Sequence, residues 1–153
     1  MGMFPTKILL ATDGSESAAP VTRAVADLSA ATGSEIELVY VGKDISTPAA
    51  YNDPNSKDTE AARKARELLD GVAKEIEEDG GKVVESHVVP GKRPAEEIVK
   101  LTREQDIGLV VVGSRGLGRF QYAIQGSVSS IVVREADCPV LVVRGDREDS
   151  TLS

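Results

Sequence analysis

The chain has 153 residues, with 18 Lys plus Arg against 25 Asp plus Glu, a formal charge of −7, one His and one Cys. Basic residues scattered over an acidic chain exclude a nucleic-acid footprint; one His with one Cys excludes an internal disulfide and a His/Cys metal cluster, so no structural metal is expected. No apolar run nears the roughly 18 residues of a membrane span, and the expectation is one cytoplasmic domain over 1–153 whose ordered core runs from about 5 to 144, with no membrane partner.

In chain order, KILLAT (7–12) reads as a strand rich in apolar residues. The segment from Glu16 to Ala31 places Val21, Ala24, Val25 and Leu28 on one helical face. EIELVYV (35–41) is a second strand, and Gly42 to Asn55, with two prolines, is the one long loop. Lys57 to Asp79 spaces Ala62, Ala65, Leu69, Val72 and Ile76 by threes and fours, as an amphipathic helix does. KVVESHVV (82–89) mixes polar and apolar residues as an edge strand would. A third helix starts at Pro94, which suits a first turn, with Ala95, Ile98 and Val99 inward. GLVVVG (108–113) reads as a central strand buried on both faces. A fourth helix follows Ser127 with Val128, Ile131 and Val132 inward, and PVLVV (139–143) closes the series before the polar tail RGDREDSTLS. The order βαβαβαβαβ predicts an open, doubly wound parallel α/β sheet of five strands with helices on both faces.

Ligands of such sheets bind beyond the carboxyl ends of the strands, where the winding reverses. Three motifs fall at strand ends here: ATDGS, VYVGK and GSRG. From Gly113 to Ser130 the chain reads GSRGLGRFQYAIQGSVSS, with four glycines and a serine cluster at the start of the last helix. Unpaired N–H groups and the helix dipole favour an anion there; Gly126 lets the backbone approach it and the hydroxyls of Ser127 and Ser129 add donors. A Walker loop is absent, and the dinucleotide fingerprint fails because Gln121 stands where the third glycine belongs. A phospho-acceptor receiver would want several acids after the first strand, where only Asp13 stands.

Gly113, Gly116, Gly126 and Ser127 spell G-x2-G-x9-G-S. With KILLATDGSESA, VYV, GLVVVGSRG and GSVSSIVVREADCPVLVV, this resembles the universal stress protein family over nearly the whole chain, in the ATP-binding subgroup that carries the glycine pattern. The resemblance implies the strand order 3-2-1-4-5, a homodimer through the last strand, and ATP between the first and fourth strands. It places Ala11, Thr12 and Asp13 along the nucleoside, with the Asp13 carboxylate accepting from ribose or adenine. It gives Val41 the adenine edge, sets Val112 and Gly113 over the nucleoside, and has Gly116 with Gly126, Ser127, Val128 and Ser129 cradle the phosphates, Arg115 adding charge. AMP and cyclic AMP are alternative ligands, and Mg2+ would be held mainly by phosphates and water. The implied role is regulatory, with at most slow hydrolysis and an unidentified protein partner.

Plainer readings stand beside these. Glycines after a strand make turns, Asp13 before Gly14 starts a turn or caps the first helix, and Ser127 and Ser129 are caps with nothing bound. His87 reads as an exposed edge-strand residue and Cys138 as small packing. A dimeric interaction module without nucleotide, and a slow ATPase or phosphotransferase, remain as alternatives; no histidine near the glycine motif and no second acid beside Asp13 offers a general base. The apolar edge Val140, Leu141, Val142 and Val143 invites pairing with a second copy.

Overall fold

The computed structural model describes residues 2–14, 18–43, 45, 57–114 and 127–144, the side chains at 57–59 and 127 excepted. Nine elements alternate along them: β1 (Lys7–Ala11), α1 (Ala19–Thr32), β2 (Glu35–Gly42), α2 (Lys57–Glu78), β3 (Lys82–Pro90), α3 (Pro94–Glu104), β4 (Leu109–Gly113), α4 (Ser127–Glu135) and β5 (Val140–Val143). All strand pairs are parallel, in the order β3-β2-β1-β4-β5. Strand alternation with helices therefore produced the expected sheet, and KVVESHVV does lie at an edge.

Burial on both faces explains the unbroken apolar runs of β1 and β4. Ile8, Leu9, Leu10, Val110 and Val111 are fully buried, and each such side chain stabilises the fold by roughly 1.5–3 kcal/mol. Ile8, Leu10, Ile36, Leu38 and Val111 face one way, onto Val21 and Val25 of α1 and Leu69, Val72 and Ile76 of α2. Leu9, Ala11, Val39, Val110 and Val112 face the other, onto Ala95, Ile98 and Val99 of α3 and Val132 of α4. The two layers follow from the period of two along the strands meeting the period of 3.6 along the helices.

Boundaries differ from expectation at two informative places. Helix α1 begins at Ala19 rather than Glu16; Ala18 is its N-cap and Pro20 sits in its first turn, where a missing N–H costs nothing. Asp13 therefore does not cap this helix. At the other end Gly33 adopts φ 77° and donates to the Ser29 carbonyl at 2.8 Å, a left-handed stop that glycine makes without strain. β1 stops one residue early, because Thr12 turns its hydroxyl back to accept from the Gly14 N–H at 3.0 Å.

Candidate functional site

The strand order places the reversal of winding between β1 and β4, since the crossover through α1 leads to β2 on one side and the later crossovers lead to β4 and β5 on the other. The register that sets Leu10 against Val111 brings the following residues, Ala11 and Val112, to the same end of the sheet. Ala11 also pairs with Val39, so Val41 lies two residues further along β2 at that end. Ala11, Thr12 and Val112 are buried, while Asp13, Val41 and Gly113 are half-buried. The carboxyl ends of β1 and β4 thus bring ATD to one side of the reversal and VG to the other, with Val41 on the neighbouring strand, the place where sheets of this kind bind their ligands.

Local contacts fix these ends. The Thr12 N–H donates to the Val39 carbonyl at 3.1 Å, carrying the ladder one step past β1. Gly14 then takes φ 72°, and a Cβ there would come within 2.5 Å of Leu68 on α2, so both its conformation and its neighbour require glycine. Gly113 closes β4 opposite Val143; the next residue, Ser114, donates its N–H to the Val143 carbonyl at 2.8 Å. The Gly42 carbonyl accepts from Ile45 and Gly91, which holds the end of β2 against the end of β3.

Helix α4 passes through 136–139 to the start of β5, so its first turn lies towards the carboxyl ends of the strands. Ser127 opens it, Val128 packs half-buried against the α3/α4 core, and Ser129 is buried. Arg115, Gly116 and Gly126 lie outside the described residues, as does the Ser127 side chain. The structure accordingly brings together Ala11, Thr12, Asp13, Val41, Val112 and Gly113, and sets α4 with Val128 and Ser129 beyond β4.

A second polar cluster was not anticipated. His87 is not an exposed edge residue: its side chain is 14% exposed and its Nε2 lies 2.8 Å from Oε1 of Glu37, which is 2% exposed. Glu85 Oε2 is 3.5 Å from the same nitrogen, and the Lys7 ammonium is 3.4 Å from the other Glu37 oxygen. The signal available in the sequence was Glu37 itself, a carboxylate among the apolar residues of EIELVYV. Cys138 is half-buried against the α3/α4 core, in keeping with a packing role, and burial pushes its thiol up from the ordinary value.

Residues 5–144 match the universal stress protein family. The chain belongs to that family. A universal stress protein of Thermus aquaticus is 34% identical over 142 residues, covering 93% of this chain and all of its own. Universal stress protein MJ0577 of Methanocaldococcus jannaschii is 28% identical, and its solved structure superposes with a TM-score of 0.74 over 94% of this chain and 98% of that one. The universal stress protein of Archaeoglobus fulgidus, solved in complex with dAMP, is 25% identical with a TM-score of 0.68, covering 91% of this chain and 98% of its own. These solved relatives share the fold of this chain. Among the described residues no helix is long and apolar enough to cross a membrane.

Proposed function

We propose that this chain is a single-domain, cytoplasmic regulatory protein of the stress response that holds ATP in the crevice between β1 and β4. The observation that carries the reading is the convergence of Ala11–Thr12–Asp13 and Val112–Gly113 at the point where the winding reverses. The spacing G-x2-G-x9-G-S follows directly from one of those walls, and the dAMP complex of the Archaeoglobus relative supports an adenine nucleotide as ligand. In this reading Val41 offers its backbone to the adenine edge and Asp13 accepts from ribose or base. Gly116, Gly126, Ser127, Val128 and Ser129 receive the phosphates at the first turn of α4, where N–H groups and the helix dipole favour negative charge. Arg115 adds a cation, and Mg2+ is held chiefly by the phosphates and water.

Backbone amides and hydroxyls stabilise bound nucleotide and transition state alike, which improves affinity without accelerating phosphoryl transfer. Long occupancy with slow turnover suits a sensor, read by a protein partner through the nucleotide-dependent surface of a homodimer paired at β5. The test is release of bound adenine nucleotide from heated, purified protein, followed by ATP titration of the wild type and of Gly126→Asp. The variant should stay folded and lose ATP binding through bulk and like charge. Unchanged affinity in folded Gly126→Asp overturns the site; phosphate release near the roughly 10 per second of an ordinary enzyme overturns the sensor.

A further inference from the structure

Glu37 occupies the interior of a parallel sheet, beside the fully buried Ile36, Leu38 and Val39. A carboxylate there is costly unless it is surrounded by partners. Lys7 reaches one of its oxygens and also donates to the Gln105 carbonyl at the end of α3, at 3.1 Å. His87 and Glu85 gather at the other oxygen through a local irregularity of β3. Ile36 pairs with Val83, but Glu37 pairs with Glu85, so Val84 is an extra residue in the ladder. Such a bulge reverses which side chains face which way along the rest of the strand. Val83 accordingly packs on the α1/α2 side and Val89 on the α3/α4 side, while Val84 is 47% exposed. Without the bulge, Glu85 and His87 would turn away from Glu37.

One carboxylate oxygen from each of Glu37 and Glu85 and one nitrogen of His87 lie within 4.8 Å of one another. A tetrahedral ion with bonds of about 2.0–2.2 Å has ligand atoms about 3.3–3.6 Å apart. The 3.5 Å from His87 to Glu85 falls inside that range, and the 2.8 Å from His87 to Glu37 lies about 0.5 Å below it, so these two side chains part by that much to admit the ion. The geometry points to a site for one zinc-class divalent ion on Glu37, Glu85 and His87, which clips the edge strand β3 to β2. The ion takes the place of the proton between His87 Nε2 and Glu37 Oε1, and water completes the shell on the side of Glu85, 54% exposed.

The donor set selects the class of ion. Imidazole suits zinc, copper, nickel and iron, whereas calcium and magnesium require six or more oxygen ligands. Lys7, held by the Gln105 carbonyl, fixes the second oxygen of Glu37 and so orients the first, as outer-shell partners do. Two carboxylates and one ammonium leave a single negative charge to receive the dication. Counting only His and Cys, as in reading the sequence for a zinc cluster, passes over a site built mainly of carboxylates. Glu37 precedes Val41 by four residues, about 13 Å along β2, so the site is separate from the nucleotide crevice.

The chain contains a single histidine, so the imidazole signals of untagged protein report on His87 alone. Zinc chloride, added without nucleotide at neutral pH, should move those signals to a metal-bound tautomer at one equivalent. Competition with a chromophoric chelator should show binding weakened by about tenfold or more in Glu85→Gln and in His87→Gln, the range typical of lost metal-site partners. Glu85 is exposed enough for its variant to fold if His87→Gln does not. Imidazole signals unmoved by excess zinc, or wild-type affinity in Glu85→Gln, would overturn the site, and neither result bears on ATP binding.

Discussion

β3 and β5 both border the sheet, yet they meet their surroundings differently. β3 is nine residues long and carries a bulge, Glu85, His87 and an α2 arginine, Arg66, whose guanidinium donates to the Ser86 carbonyl at 3.1 Å. β5 has four residues, and its Leu141 and Val142 are each 38% exposed. By register with Val111 and Val112 these two side chains lie on opposite faces, so the helical layers, which reach Val143 on one face and Val140 on the other, cover the end of the sheet only in part. Bulges and charge are the means by which edge strands avoid pairing with other chains. β3 has both, and β5 has neither along its four residues. The contrast favours β5 as the seam of the homodimer proposed above, in the two-fold arrangement commonest for self-association.

The largest expected effect breaks that contrast directly. Leu141→Lys combined with Val142→Lys gives β5 the charges that protect other edges and should weaken self-association at least about a hundredfold, which corresponds to ~2.8 kcal/mol. Sedimentation should then show monomer at concentrations where the wild type is dimeric. Val84→Lys, the matching change on β3, should leave the dimer intact. Dissociation by Val84→Lys, or none by the double variant, would reverse the assignment of the two edges.

A smaller effect concerns what holds β3 in place. His87→Ala leaves the buried Glu37 carboxylate with one partner fewer and should cost about 1–3 kcal/mol in urea unfolding. Glu37→Leu removes the buried charge itself, and the side chains it leaves behind, Lys7 and His87, both reach water, being 41% and 14% exposed. It should therefore cost less than His87→Ala, because replacing a buried ion by an apolar group is often nearly neutral. The reverse ranking would mean that Glu37 contributes more through its charge than its burial implies.

The same two edges show what the sequence carries. LVVV and KILLA announce themselves because burial on both faces leaves little room for polar residues, VLVV by its unbroken apolar run despite the exposure of Leu141 and Val142, and Pro20, Gly33 and Pro94 punctuate the helices by backbone geometry alone. The strand order was an implication of family resemblance, since alternation of strands and helices is compatible with more than one winding. The walls of the candidate crevice were legible because they sit at strand ends, where topology concentrates function. Arg115, Gly116 and Gly126 lie outside the described residues. His87 was misread because a bulge at Val84 shifts the phase of β3, and no periodicity counted along ESHVV reveals a residue added to the ladder. Glu37 belongs to another strand 50 residues away from His87, a pairing that only the sheet makes.

The smallest effect probes the approach to β5. Cys138 stands two residues before the strand, in a turn that Arg103 of α3 grips through Nε to Asp137 Oδ2 at 2.7 Å. Its thiol is pushed up, first by burial, with the Asp137 charge a lesser contribution. The thiolate is the reactive form, and a raised value means that less of it is present at pH 8 than in the unfolded chain, where an unperturbed cysteine has a pKa of about 8.5. Reaction with a disulfide reagent at pH 8 should be several-fold slower in native protein than in urea, and the gap should narrow as pH rises through the elevated value. Arg103→Ala, by loosening the turn, should bring the native rate closer to the unfolded one, while Leu141→Lys with Val142→Lys should not. A native rate equal to the unfolded rate at pH 8 would show that the start of β5 opens freely, and the exposed apolar strand would then be a frayed end instead of a preformed seam.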